Sequence, residues 1–331
     1  MKMTKKKLAL FTALLSTLTL LGCNKQEAAK NADSSQASPA KSEVVLKIGD
    51  QKGNMRAQLE ASGALKGVDY KINWYEFPAA APVAEALKVE GIDIGYLGDA
   101  PFLFANANGG TAKAIAVYKT DPYPTAILVP ENSPIKSAKD LKGKSLTMNK
   151  GSISHLLTLK VLEQQGLKPE DVTFKFLPPA DGKLAVENGS VDAWVVWDPY
   201  TAYAELKDHY RIVANGRGLY SGYIFLAGTQ KALDDQQKRV AIQDFIYRLK
   251  ASQIWTNEHA EEFGKEYAKI VGLPEDVGIL AFKRRNSSWD PIDADVIKTS
   301  QETADFYTKY QLINKQFDVS NSFDQGFKVT K

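Results

Sequence analysis

The sequence is poorest in the residues that carry covalent and metal chemistry. A single cysteine, Cys23, occurs in 331 residues. That excludes an internal disulfide, a cysteine-rich metal centre and, beyond this one position, a thiolate nucleophile. The three histidines, His155, His209 and His259, are far apart and none forms a ligand-spaced pair. No glycine-rich phosphate loop is present, and no Ser/His/Asp order or paired-carboxylate motif stands out. These gaps argue against an enzyme and against any cofactor or metal. Clustered basic charge is missing too. Setting aside residues 1–22 removes Lys2, Lys5, Lys6 and Lys7 and no acid, which takes the formal charge from +3 to −1. Nucleic-acid binders carry a clustered basic excess instead.

Long apolar runs are equally scarce. Leu8–Leu21 is uncharged but shorter than the ~20 residues of a spanning helix. Behind its basic start it reads as a secretory signal peptide. It ends in Leu20-Leu21-Gly22-Cys23, which resembles a bacterial lipobox. That resemblance implies removal of residues 1–22, acylation of Cys23 and anchoring in a lipid bilayer, with the body facing the periplasm or cell exterior. Asn24–Glu43 has no aromatic or large aliphatic residue and reads as a disordered tether. At ~20 residues it would reach roughly 25 Å.

What is present is one order of elements, repeated. Val44–Ile48 is a β-branched run that passes through Gln51-Lys52-Gly53-Asn54 into a helical stretch. A century of residues later, Ser145–Met148 passes through Asn149-Lys150-Gly151-Ser152 into another. Lys71–Phe77 ending at Pro78 is echoed by Thr173–Leu177 ending at Pro178-Pro179. Ile92-Asp93 to Gly98-Asp99 is echoed by Val191-Asp192 to Trp197-Asp198. Strands alternating with helices predict parallel sheets with helical crossovers. Ligands of such sheets sit beyond the strands' carboxyl ends. Two copies predict two α/β lobes whose helix starts face each other across a cleft suited to an anion. Leu233–Ile313 has helical periodicity, broken near Gly272-Leu273-Pro274 and at Asn286–Pro291, and is expected to wrap one lobe. The apolar runs Ala126–Val129 and Tyr223–Ala227 are expected to be the two passages between lobes.

Candidate contacts follow from this arrangement. Gln51, Ser152 and the Gly98-Asp99 turn are placed to donate to an anion. Asp99 and Asp198 suit capping better than direct contact with a like charge. Asp93 and Asp192 read as structural. Trp194 and Trp197, three apart, face opposite ways, and Trp197 is expected to line the cleft. His155, in a first helical turn, either donates to the ligand or caps a loop. Asn54, at the first helix start, and Tyr223, at a passage between lobes, complete the set.

These motifs resemble the binding proteins of the sulfonate, taurine and nitrate group of ABC transporters, and favour the aliphatic-sulfonate branch. The carrying residues are Gln51-Lys52-Gly53-Asn54, Phe77-Pro78-Ala79-Ala80, Gly98-Asp99-Ala100-Pro101-Phe102, Lys150-Gly151-Ser152-Ile153-Ser154-His155, Pro179-Ala180-Asp181 and Val191 through Pro199. Arg285 matches an arginine of the family. The resemblance implies a type-2 periplasmic-binding fold on a two-strand hinge, with lobe I of residues 44–129 and 226–331 and lobe II of residues 130–225. It implies a monomer that closes on a small anionic solute and delivers it to a permease and its ATPase. The sequence departs from the pattern at Asn54 (with Arg56 beside it), Ala80 and Phe102, which leaves taurine, nitrate or a heterocyclic precursor as alternative solutes. A few thiamine-precursor synthases share the fold, but they carry a cysteine cluster. A sensor module is a third alternative. Apart from Cys23, only Met55 and Met148 contain sulfur after residue 22, an economy that suits sulfur acquisition.

Overall fold

A computed structural model describes residues 43–330. The signal segment, Cys23 and nearly all of the tether lie outside them. The first copy runs β1 (Val45–Gln51), α1 (Asn54–Ala61), β2 (Lys71–Phe77), α2 (Ala80–Lys88), β3 (Ile94–Gly98), α3 (Asp99–Ala107) and β4 (Lys113–Lys119). After β5 (Ala126–Val129), the second copy runs β6 (Ser145–Met148), α4 (Ile153–Gln164), β7 (Thr173–Phe176), α5 (Pro179–Glu187), β8 (Ala193–Val196), α6 (Tyr200–Leu206) and β9 (Arg211–Asn215). Then come β10 (Tyr223–Gly228), α7 (Gln230–Asp234), α8 (Gln236–Glu258), α9 (Ala260–Val271), α10 (Glu275–Lys283), β11 (Ser288–Asp290) and α11 (Ala294–Lys309).

The repeat seen in the sequence is a repeat of topology. One sheet has the order β11-β4-β10-β3-β1-β2 and the other β7-β6-β8-β5-β9. In each, the first strand of the copy pairs in parallel with the next two. In each, the following strand is antiparallel and comes from the opposite side of a chain crossing: β10 in the first sheet, β5 in the second. Even the strand-edge aspartates match. Asp93 accepts the Lys47 N–H at 2.8 Å and Asp192 the Ser145 N–H at 2.8 Å, each returning its own N–H to the same residue's carbonyl. Both act structurally, pinning the third strand to the first.

The passages between sheets differ from expectation. Ala126–Val129 and Tyr223–Ala227 are fully paired inside their sheets, because a buried apolar run needs ladder partners for its backbone. The chain crosses instead through residues 120–125 and 216–222, which hold Pro122, Pro124, Gly216, Gly218 and Gly222. A buried carboxylate steadies the second crossing: the Ser221 hydroxyl donates to Asp99 at 2.6 Å.

The late helices also do more than cover one sheet. α8 lies on β1 and β3, burying Ile242, Phe245, Ile246 and Leu249 against Leu46, Ile48 and Ile94. On one flank, Phe263, Tyr267 and Phe282 of α9 and α10 pack with Ala202 of α6. On the other, Phe306 and Tyr307 of α11 pack with Leu156 and Leu159 of α4. Both flanks thus tie the first sheet's helices to the second copy. Ion pairs reinforce them: Lys207 to Asp276 at 2.6 Å, and Lys309 to Glu163. Between the flanks, Phe104 of α3 lies on Gly151, whose φ is +70°; a Cβ there would stand 2.5 Å from the ring. Gly151 therefore meets two demands at once, a left-handed backbone and close approach.

Gly151→Ala should destabilise the protein by at least about 1–2 kcal/mol from backbone conformation alone. The ring collision adds to that, so Phe104→Leu should recover part of the loss. Urea-unfolding midpoints of the two single variants and the double variant test this; strict additivity would show that Phe104 does not sit on Gly151.

Candidate functional site

The carboxyl ends of β1, β3, β6 and β8 open onto one cleft of about 300 Å³, a volume suited to a small molecule. Its walls are largely apolar and aromatic, with Pro78, Ala80, Phe104, Trp197, Tyr220 and Phe282 among them. Of the sequence-predicted residues, Gln51, Asn54, Gly98, Ser152, Trp197, Asp198, Tyr223 and Arg285 line it. Trp194 is buried in the core instead, as the strand alternation requires.

Asp99 and His155 lie behind the wall. Asp99 opens α3 and is 1 % exposed. Its carboxylate accepts the Ala100 N–H at 2.6 Å and the Ser221 hydroxyl at 2.6 Å. Burial pushes its pKa up to about 6 against these bonds. A ligand cannot reach it. His155 is 1 % exposed and sits edge-on to Phe174 and Phe176. Its Nδ1 accepts the Gly151 N–H at 3.2 Å, so its proton is on Nε2. Burial, helped by Lys150, lowers its pKa to about 4. It is neutral and shapes the Lys150-Gly151 turn.

Two expected donors are already employed. The Ser152 hydroxyl donates to the Asn149 carbonyl at 2.7 Å and accepts the His155 N–H at 3.4 Å, which makes it the N-cap of α4. Gln51 Nε2 donates to the Tyr96 carbonyl at 2.7 Å, and the Tyr96 hydroxyl donates back to the Gln51 carbonyl at 3.0 Å. One amide hydrogen of Gln51 remains for the cleft. The Asn54 side-chain oxygen accepts from Gln58 at 2.6 Å. Arg56 turns outward to Glu60 at 2.7 Å, and Phe102 is a core residue against Phe225. Neither shapes the cleft, so of the sequence departures only Asn54 and Ala80 touch it.

At α1 the N–H groups are also taken. Asp50, 2 % exposed, accepts from the backbone of Gln51 at 2.7 Å, Met55 at 3.0 Å and Arg56 at 2.8 Å. Burial raises its pKa to about 6 despite these three bonds.

Lys52 and Lys150 stand exposed at the rim of the cleft, and its inner positive charge is divided between two adjacent arginines. Arg284 bridges the halves: it donates to Asp198 at 2.8 and 2.5 Å and to Glu205 at 2.6 Å. All three side chains are largely shielded. Burial raises the Asp198 pKa, and Arg284 opposes the shift. Asp121, another carboxylate on the wall, is held by Arg217 at 2.5 Å. Arg285 faces the cleft and, among the described residues, forms no ion pair. Its Nε is buried without a hydrogen-bond partner, its guanidinium lies 5.6 Å from the Phe282 ring centre, and the Tyr118 hydroxyl is its neighbour. Tyr96, Tyr118 and Tyr267 surround it, and burial raises the pKa of each phenol. The sequence did not single out these tyrosines, nor Phe104 and Phe282. Tyr267 and Phe282 come from helices whose periodicity says only that one face is buried. Among the described residues no cluster of His, Cys, Asp and Glu converges on a metal position.

The arrangement is a small aromatic cleft with an inner arginine that, among the described residues, has no carboxylate partner, and comparison with known proteins points the same way. The family described as "ABC transporter, phosphonate, periplasmic substrate-binding protein" matches residues 67–272. An aliphatic sulfonates-binding protein of Escherichia coli is 37% identical over 280 residues, 83% of this chain and 86% of its own. Among solved structures, the periplasmic aliphatic sulphonate binding protein SsuA from Escherichia coli aligns with a TM-score of 0.78 and 34% identity, covering 88% of this chain and 95% of that one. The alkanesulfonate-binding protein SsuA from Xanthomonas axonopodis pv. citri, bound to MOPS, aligns with a TM-score of 0.80 and 32% identity, covering 86% and 99%. With its two α/β lobes in the type-2 periplasmic-binding arrangement, the chain belongs to the family of ABC-transporter substrate-binding proteins that includes the aliphatic sulfonate-binding proteins.

Proposed function

We propose that this chain captures an alkanesulfonate-like anion in the cleft and delivers it to the permease and ATPase of an ABC importer. Arg285 carries the reading. Its guanidinium, beside the Tyr118 hydroxyl but with no carboxylate partner among the described residues, stands in an aromatic cleft whose inner carboxylates are engaged elsewhere. A sulfonate supplies the missing anion, and its organic tail suits the apolar walls. Gln51, Asn54, Gly98, Tyr223 and Trp197 complete the contacts. Ser152 contributes through the helix start it caps, Asp198 belongs to the wall itself, and Asp99 and His155 support the wall from behind. Lobe I comprises residues 44–119 and 223–330 and lobe II residues 126–215, with closure hinged at the two crossings. The protein acts as a monomeric binder and not as an enzyme. It is exported and held at a membrane by acylated Cys23, where Leu20–Cys23 resembles a lipobox.

Hydrogen bonds to charged groups contribute roughly 1.5–3 kcal/mol each. Arg285→Gln should therefore weaken alkanesulfonate binding by about ten-fold to a hundred-fold. Titration calorimetry or intrinsic tryptophan fluorescence reads this; unchanged affinity would place the anion elsewhere.

Affinity should stay flat between about pH 7 and 9. The His155 pKa is depressed, so the ring is neutral throughout that range, and the sulfonate stays ionised. A decline of about ten-fold per pH unit from 7 to 9, where Asp50 and Asp99 are already largely ionised, would mean that binding requires an imidazolium, and would reject the structural role given to His155.

Cys23→Ser should appear either as soluble protein or with its signal uncleaved. Processed protein that still fractionates with membranes would rule out a lipid anchor at Cys23.

A further inference from the structure

The two copies of the repeat are not electrostatically equal. Aligning the Lys-Gly turns sets Asp50 opposite Met148, and Asn54 opposite Ser152. In the second copy the helix start is capped by a neutral hydroxyl. In the first, a buried carboxylate takes the N–H groups of Gln51, Met55 and Arg56. A helix start whose donors are satisfied by an internal anion has little left to offer an external one. Asp50 is also a fixed negative charge close beneath the cleft floor. The hydroxyls of Tyr96, Tyr118 and Tyr267 feel both Asp50 and Arg285, so the two charges flank the same small region.

We propose that Asp50 makes the site selective for monoanionic headgroups, favouring a sulfonate over a phosphonate. The inference rests on the anion-binding role given to this cleft. A sulfonate carries one charge and no proton. A phosphonate near neutral pH carries either two charges, whose doubled repulsion from Asp50 offsets the doubled attraction to Arg285 while the dianion gives up more hydration, or one charge with a P–OH that needs an acceptor. The inner carboxylates of the wall are poor acceptors for that proton. Asp198 is engaged by Arg284 and by the Ala202 N–H, and Asp121 by Arg217. Glu85 stands exposed at the rim on α2. At an effective dielectric near 20, a second unit charge within about 10 Å of a buried carboxylate loses roughly ten-fold in affinity.

The test compares pentanesulfonate with pentylphosphonate, two probes of equal tail, by titration calorimetry at pH 8. Wild type should bind the sulfonate at least about ten-fold more tightly. Asp50→Asn should narrow that gap by about ten-fold, with phosphonate affinity rising more than sulfonate affinity. Asp50→Ser, which keeps an acceptor for the α1 backbone, should narrow it similarly and serves if the Asn variant does not fold. A folded variant with the wild-type gap would overturn the proposal. So would a wild type that binds both probes equally, whatever the variants do. If wild type binds neither probe, the anion-binding reading of the cleft itself fails, which is a separate outcome.

Discussion

The buried bridge from Arg284 to Asp198 and Glu205 is the interaction on which the rest of the site depends. It joins the end of α10, in the lobe of the first sheet, to the turn after β8 and to α6, in the lobe of the second. A desolvated ion pair is not cheap: removing charges from water costs several kcal/mol each, and only good geometry with further hydrogen bonds offsets it. Here the guanidinium is satisfied on three sides, and Asp198 also accepts the Ala202 N–H at 3.0 Å. The bridge fixes Trp197 and the following turn against α10. It also removes Asp198 from competition for Arg285. One arginine neutralises the wall so that its neighbour can remain a cation without a carboxylate partner among the described residues.

That division of labour explains why the site was only partly legible in the sequence. Lys283-Arg284-Arg285 reads as a solvated charge run, and only family resemblance lifted Arg285 above its neighbours. Which arginine meets carboxylates depends on where α10 ends relative to a turn nearly ninety residues earlier, and no periodicity encodes that. The fold was far more legible. The Lys-Gly turns, the paired aspartates and the strand–helix alternation are local patterns, and each maps onto the same step in both sheets. Asp93 and Asp192 were readable as structural because their positions repeat.

The errors have a common physical origin. Ala126–Val129 and Tyr223–Ala227 are apolar runs that bracket the second copy, which is why sequence alone suggests them as the crossings. Yet a passage between lobes must bend, and bending falls to the Pro- and Gly-containing residues on the other side of each run. His155 was visible as a first-turn histidine, but its surroundings, Phe174 and Phe176 on β7, are supplied by a strand some twenty residues on. Buried between them it cannot hold a charge, and its nitrogen serves the Gly151 backbone instead. Ser152 and Gln51 line the cleft, yet sequence cannot show that a hydroxyl proton is already committed to Asn149 or an amide to Tyr96.

The duplication sets a final constraint. Two copies with equivalent helix starts would present two similar poles to one ligand, and a cleft between them would favour more highly charged anions. Divergence at a single aligned position breaks that symmetry. Where the second copy has the apolar Met148, packed against Thr158, the first has Asp50, which turns a donor-rich helix start into a satisfied one. Arg285 then restores positive charge to the same side, but from the turn after α10, outside the repeat, as one guanidinium on a flexible stem. The resulting site has a cation that can be positioned by its neighbours Tyr118 and Phe282, set against a fixed anion that cannot move. Such a pair favours higher ligand charge less steeply than two opposed helix starts would, because the repulsion from Asp50 offsets part of each added attraction to Arg285.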